Sequence, residues 1–300
     1  MRQVLRWSLW PGLLALCIWL THRGIQADRT VVTFNAVYLA LAALLWLLER
    51  RLPYEQAWRR GDGQTANDLL HTLLNKSVAQ VLVVTGAALG ISEAVAPRGG
   101  AWWPHAWPLW GQVLLGLLVA EFGFYWSHRL KHEWAPLWPW HAVHHSVGRL
   151  WFVNTGRFHV GDTALAILFS QPLLFLAGAP GPVFVYVAAI TAFCGLLTHC
   201  NVDLRCGWLN RLLNTPETHR WHHSPDPAEG NRNYGENLLV FDRLFGTWHC
   251  PPGHRPPAVI GIREAMPSGF LGQLAAPFVW RRLQRRPAAP LMPRVPPPAA

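Results

Sequence analysis

Long apolar runs alternate along this chain with short stretches dense in Arg, His and Trp. Val4 to Leu20 begins between Arg2 and Arg6, and Val31 to Leu48 is closed by Glu49, Arg50, Arg51 and Pro53. Ser77 to Val95 and Trp107 to Trp126 come next. Each run is close to the roughly twenty residues that a helix needs to cross a bilayer, and each predicts a transmembrane helix. The first also resembles a secretory signal, but no A-x-A site follows it and further apolar runs do, which favours an uncleaved span. Thr163 to Ala179 and Val183 to Leu197 are slightly shorter and flank "GAPGP", a pattern that predicts a tight helical hairpin dipping into the membrane and returning. After Asn201 no long apolar run remains.

The expected fold class is therefore all-α: a polytopic membrane protein with about four transmembrane helices, a helical hairpin and a histidine-rich helical cap. Residues 1–106 read as an N-terminal transmembrane region and residues 107–255 as the functional domain. Residues 256–300 read as a basic, Pro-rich C-terminal tail, disordered towards its end.

Composition supports a membrane setting. Only 14% of residues are charged, and Trp occurs 18 times. "AWWPHAWPLW" (Ala101 to Trp110) reads as part of an aromatic belt at the water–lipid boundary. The net charge of +10 comes from Arg, since Lys occurs only at Lys76 and Lys131. These arginines flank apolar runs, so they point to membrane orientation and anionic head groups rather than nucleic acid. The loops with most Arg and Lys carry every dense histidine motif, which places those motifs on the cytoplasmic face by the positive-inside rule. The Arg, Ala and Pro bias suggests a bacterial source and hence a bacterial inner membrane. Five cysteines without CxxC spacing suggest reduced thiols.

The histidines carry the chemistry. His128 and His132 are four apart, which on a helix stacks both rings on one face about 6 Å apart along the axis. "HAVHH" (His141, His144, His145) and "HRWHH" (His219, His222, His223) repeat this with steps of three and four. The adjacent pair in each diverges by about 100°, so its members can serve two different metal ions. About 0.04 such HxxHH matches are expected by chance in a chain of this composition, and two are present. Eight imidazoles exceed the four of a closed zinc site, so a two-metal centre follows. Imidazole suits Zn, Cu, Fe and Ni alike, which leaves the metal open. His199, at the end of the hairpin, is expected as a ninth ligand. His159 lies on the same side without a spaced partner, and its role stays open.

Two carboxylates complete the candidate site. Glu121 lies within the fourth span, seven and eleven residues before His128 and His132, so all three share one helical stripe. An intramembrane carboxylate is functional by default, and support of a ligand imidazole is its expected role. Glu217 is the second candidate, with Asp162 and Asp226 as weaker ones.

The stretches "EFGFYWSHRLKH", "HAVHHSV", "THCNVD" and "NTPETHRWHHSPDPAEGNRNYGENLLVFDRLFGTW" resemble the fatty acid hydroxylase / sterol desaturase superfamily, over roughly Leu115 to Trp248. The resemblance implies two iron ions held almost wholly by histidine. It also implies O2 activation and hydroxylation or desaturation of a lipid: sterol-like, fatty acyl, ether lipid or carotenoid. His128, His132, His141, His144, His145, His219, His222 and His223 match the motif positions, and His199 matches the intervening histidine. Trp126, Trp134, Trp138, Trp140, Trp151, Phe152 and Phe158 are candidates to line the lipid pocket. No GxGxxG, CxxCH or iron–sulfur cysteine spacing occurs, so a separate electron donor is implied: a ferredoxin, a cytochrome or a reductase. The alternative is a metal-binding membrane protein, a transporter or sensor, without turnover. Transport sites sit near the bilayer midplane on broken helices, whereas these histidines lie at span ends.

Overall fold

The computed structural model describes residues 2–77, 81–83, 85–86, 89, 94 and 102–287. Among these residues the chain is helical, with two isolated β-bridges and no strand. Helices α1 (Arg2–Gln26) and α2 (Thr30–Arg51) form the first antiparallel pair. A tight turn joins them, with Asp28 in the left-handed region. Gly24 makes their approach possible: a Cβ there would stand 2.4 Å from Thr33 Cβ. Helix α3 (Thr65–Leu70) runs into a π-helical turn at His71–Ser77. The expected span from Ser77 to Val95 lies largely outside the described residues.

Helices α4 (Leu109–Glu133), α5 (Trp138–His145), α6 (Val160–Ala177) and α7 (Gly181–His199) follow. The expected fourth span thus extends nearly two further turns past Trp126, to Glu133, which keeps His128 and His132 on its own helical register. Among the described residues, α1, α2, α4, α6 and α7 are long and apolar enough to cross a membrane. Their outward faces expose Trp19, Val31, Leu39, Leu114, Leu168 and Leu176, as helices in lipid do.

Helix α7 is central, with 67% of its apolar window buried against 17% for α1 and α2. It packs Phe193 and Leu197 against Trp10, Leu41 and Leu45 on one side. On the other, Val183, Phe184 and Val187 meet Val113, Leu117 and Leu174. The hairpin expected for α6 and α7 closes at Gly178, which is left-handed (φ 78°) as a helix C-terminus requires. The two helices touch near that turn, where the Phe175 and Phe184 rings are 4.5 Å apart. They then separate, α6 lying along α4 while α7 runs between α4 and α1. Gly123 sets the α4–α6 crossing, since a Cβ there would come within 2.2 Å of the Phe169 carbonyl oxygen.

Short helices form the cap: α8 (Pro216–His222), α9 (Pro227–Gly230), α10 (Val240–Leu244), α11 (Phe270–Ala275) and α12 (Trp280–Gln284). The segment after 255 is folded as far as it is described. Tyr54 Oη donates to the Pro256 carbonyl at 2.6 Å, and Trp58 Nε1 donates to Ala258 O at 3.0 Å. Ile260 is buried with Tyr54, Trp58 and Leu150, and Trp280 and Leu283 bury against Ala142. Apolar anchors among the arginines and prolines thus hold this segment over the cap. Residues 288–300 lie outside the described residues.

Candidate metal centre

Four helices deliver nine histidines to one place. Helix α4 contributes His128 and His132 from its last turns, α7 contributes His199 as its last residue, α5 carries "HAVHH", and α8 with its C-cap residue His223 carries "HRWHH". The rings form two groups. His128, His132, His141, His145 and His222 make one, and His144, His199, His219 and His223 the other; within each, the facing ligand atoms all lie within 4.8 Å of one another. Both motifs divide between the groups. "HAVHH" places His141 and His145 in the first group and His144 in the second, whereas "HRWHH" places His222 in the first and His219 and His223 in the second. The split follows from helix geometry: residues four apart share a face, and neighbours do not. The groups adjoin, with the His145 and His223 rings 4.4 Å apart.

Outer partners set the ring tautomers. His141 Nδ1–H donates to Asp162 Oδ2 at 2.6 Å, and the other oxygen of Asp162 pairs with Lys131. His128 Nδ1–H donates to Tyr234 O at 2.7 Å, and His222 Nδ1–H to Arg232 O at 2.8 Å. His132 Nδ1–H donates to Asn231 Oδ1 at 3.0 Å, and His199 Nδ1–H to Asn154 Oδ1 at 2.9 Å. The Asn154 amide is itself oriented, since its Nδ2 donates to Arg149 O.

With Nδ1 protonated, each inward Nε2 carries a lone pair. His128 Nε2 and His141 Nε2 are 2.9 Å apart, so two acceptors face one another with no proton to share. The Nε2 atoms of His132 and His222 are buried without a hydrogen-bond partner. Lone pairs converging in a dry site repel unless a cation stands among them, and neutral imidazoles at this spacing are the donor set for a borderline divalent metal. The residues fit a metal. Burial keeps the rings neutral: it pushes His144, His145 and His223 well below the usual imidazole range, and His222 to about 3, with neighbouring imidazoles adding to the effect. His141 is also lowered by burial, although Asp162 opposes the shift.

A fatty acid hydroxylase family model matches residues 113–247, the stretch that holds all nine histidines. The chain is 49% identical over 276 residues to Ornithine lipid hydroxylase OlsE of Rhizobium tropici, which covers 90% of this chain and 83% of that protein. The chain belongs to the fatty acid hydroxylase family. It is also 34% identical over 183 residues to Alkylglycerol monooxygenase of Danio rerio, covering 60% of this chain and 39% of the relative. With Delta(7)-sterol 5(6)-desaturase ERG3B of Gibberella zeae it shares 24% identity over 162 residues, 53% of this chain and 48% of the relative. No solved structure matches. The protein is a membrane enzyme of lipid hydroxylation or desaturation of the histidine-motif type.

Two cavities reach the five-histidine group of this family member. A wide one of about 1460 Å³ is lined by His132, His145 and His222 together with Trp138, Phe278 and a set of charged side chains. A small one of about 60 Å³ reaches His128 and His141 between Phe124, Ile167 and Thr191. Of the aromatics expected to line a lipid pocket, Trp138 lies in the wide cavity and Phe158 in the small one. Trp134 is exposed, Trp140 packs on His159, and Trp126 packs on Phe245.

The carboxylates act at a remove. Glu121 does not touch an imidazole, the role its place on the helical stripe predicts; it accepts from the backbone N–H groups of Glu236 (2.5 Å) and Asn237 (3.0 Å). It therefore pins the loop whose Tyr234 carbonyl holds His128. Glu217 accepts from Cys206 N (2.7 Å) and Asn210 Nδ2 (3.0 Å), tying the start of α8 to the preceding turn. The carboxylate on an imidazole is Asp162, a weaker candidate by sequence. His159 lies outside both groups: its Nδ1 accepts from Gly161 N and its Nε2–H donates to Leu274 O. Asp242, not anticipated, accepts from Tyr234 N and Gly235 N at 2.8 Å each and from Thr247 Oγ1 at 2.7 Å. The "NYG" turn and the aspartate of "FDRLFGT" were its only signal.

Proposed function

We propose that this enzyme hydroxylates an ornithine lipid, or a lipid with a closely similar amino-acid head group, at two iron ions. One ion would be held by His128, His132, His141, His145 and His222, the other by His144, His199, His219 and His223. The reading is carried by the division of nine imidazoles, eight of them buried and His132 half-buried, into two adjoining donor sets. The likeness to Ornithine lipid hydroxylase OlsE along 90% of the chain supports the substrate class. Bound iron would supply the activation of O2 and the oxidation of an unactivated C–H bond.

The chain's own residues do the rest. Asp162 holds the His141 Nδ1 proton, which turns Nε2 towards the centre, and Lys131 balances the buried carboxylate. Backbone carbonyls of Tyr234 and Arg232 do the same for His128 and His222. Burial of the four-histidine group excludes water from it, which protects an oxidising centre from side reactions. Substrate reaches the five-histidine group, the one that both cavities touch.

The density of Arg and Lys in the loops around the histidines supports a cytoplasmic active site in a bacterial inner membrane. Electrons come from a separate ferredoxin, cytochrome or reductase. The catalytic unit runs beyond residue 255 to 287, because that segment covers the site. Lipid extracts from cells with and without the gene, compared by mass spectrometry, test the reading. A gain of one oxygen on an ornithine lipid is expected; loss of two hydrogens, or an unchanged lipid profile, would refute it.

A further inference from the structure

The wide cavity carries a set of charges that the metal centre does not use. Arg263, Arg281 and Arg282 line it. None of the three has a carboxylate partner among the described residues, whereas Arg6, Arg129, Arg149, Arg157 and Arg205 are each in an ion pair. Arg281 and Arg282 are held in place by the residues around them. Trp280 and Leu283 of α12 are buried in a cluster with Ala142 of the histidine-bearing α5, so the exposed arginines between them face the cavity from a fixed turn. Glu264 and Asp226 line the same cavity. Glu264 is oriented by Trp138 Nε1, which donates to its Oε1 at 3.4 Å, and Asp226 by Ala228 N, which donates to its Oδ1 at 2.9 Å.

Both signs of charge thus border one space of about 1460 Å³ that ends at His132, His145 and His222. That volume exceeds the roughly 300–1,000 Å³ usual for small-ligand sites, and it leaves room for a polar head with the start of its acyl chains. An amino-acid head group amide-linked through one nitrogen presents a free carboxylate and a free ammonium. Guanidinium binds carboxylate in a planar fork, while a carboxylate side chain takes an ammonium.

Resting on the function proposed above, we propose that the wide cavity is the head-group site and that Arg281 and Arg282 bind the free carboxylate of an amino-acid lipid. Glu264 and Asp226 face its ammonium. The arginine pair sets specificity: it selects a carboxylate head over the same lipid with that charge removed. A phosphate head is the other anion such a pair attracts, and it is separated by the test.

The experiment measures binding to the purified, iron-loaded enzyme in detergent, with ornithine lipid, its carboxyl methyl ester and phosphatidylglycerol as probes. The wild type is expected to bind the acid about tenfold more tightly than the ester, the factor that roughly 1.4 kcal/mol provides. R281Q/R282Q should bind acid and ester alike, and R281K/R282K should keep part of the preference. R285Q/R286Q, which alters the next two arginines outside the cavity lining, should behave as wild type. Equal binding of acid and ester by the wild type would overturn the proposal, as would preference surviving in R281Q/R282Q or vanishing equally in R285Q/R286Q. Tighter binding of phosphatidylglycerol than of ornithine lipid would assign the arginines to phosphate and also overturn it. If the acid preference appears and R281Q/R282Q abolishes it, but no hydroxylated lipid forms under O2 and reductant, the head-group site stands and the function proposed above fails.

Discussion

Asp162 accepts from His141 Nδ1 on one oxygen, at 2.6 Å, and pairs with Lys131 on the other. All three side chains are buried. Through these two contacts Asp162 joins α6 to α4 and α5, so the helix crossing and the orientation of His141 depend on one another. Replacing Asp162 by Asn keeps an acceptor for the imidazole but removes the charge that balances Lys131. Loss of such a partner costs about 10–100-fold in metal affinity. D162N is expected to bind iron more weakly by a factor in that range, read by competition with a chelator, and to lose turnover in parallel. Wild-type affinity would remove Asp162 from the centre.

His144 and His145 are adjacent yet belong to different groups. H144A and H145A should therefore each abolish turnover while depleting different sites. Iron content after gentle chelation is the measurement. On the two-iron reading the wild type should hold two ions and each variant one, and H144A/H145A should retain neither firmly. Full activity in an iron-free preparation of any of these would refute the two-iron reading.

Much of this histidine cluster was legible in sequence, because histidines four apart on a helix leave a periodic trace and HxxHH is too dense to be accidental. The helix register of α4 could be followed from Glu121 to His132 for the same reason. What was not legible depends on contacts remote in sequence or made by backbone. Asp162 lies 21 residues from His141, and nothing local marks the pairing. Glu121 stood out as functional, but its partners are main-chain N–H groups of Glu236 and Asn237, which have no residue signature. Residues 256–287 read as tail because Pro and Arg mask the few anchors, such as Ile260, Gln273 and Trp280, that bury the segment.

His71 offers a pH test away from the two histidine groups. It is buried, with Nε2–H donating to Gln273 Oε1 at 3.0 Å and Asn75 Nδ2 donating to its Nδ1 at 3.0 Å. Burial pushes its pKa from 6.5 down to about 4. Below pH 6.5 the unfolded chain takes up a proton that the folded chain refuses, so stability falls as pH drops from about 6.5 towards 4 and is complete above that window. The loss amounts to roughly 3 kcal/mol at most. The other histidines are common to both proteins, so the difference between wild type and H71Q isolates this residue. The thermal midpoint of the wild type should decline more steeply from pH 7 to pH 5 than that of H71Q. Parallel declines would show that His71 contributes nothing to it.

Glu121 tests how the loop at 234–237 acts on the centre. Both carboxylate oxygens are occupied by backbone donors, and two residues earlier Tyr234 O holds His128 Nδ1. A glutamine at this position has one oxygen for two N–H groups and turns an NH2 towards the second, which leaves a buried donor unsatisfied at a cost of about 1–3 kcal/mol. The loop should loosen, the Tyr234 carbonyl should drift from His128, and the five-histidine group should lose grip on its ion while the four-histidine group keeps its own. E121Q is thus expected to retain weakened turnover, with faster amide exchange confined to residues 234–237 and faster release of one ion only. E121D keeps the charge on a shorter arm and should fall between E121Q and wild type. A wild-type rate in E121Q, with unchanged exchange in the loop, would show that the loop holds His128 without help from this carboxylate.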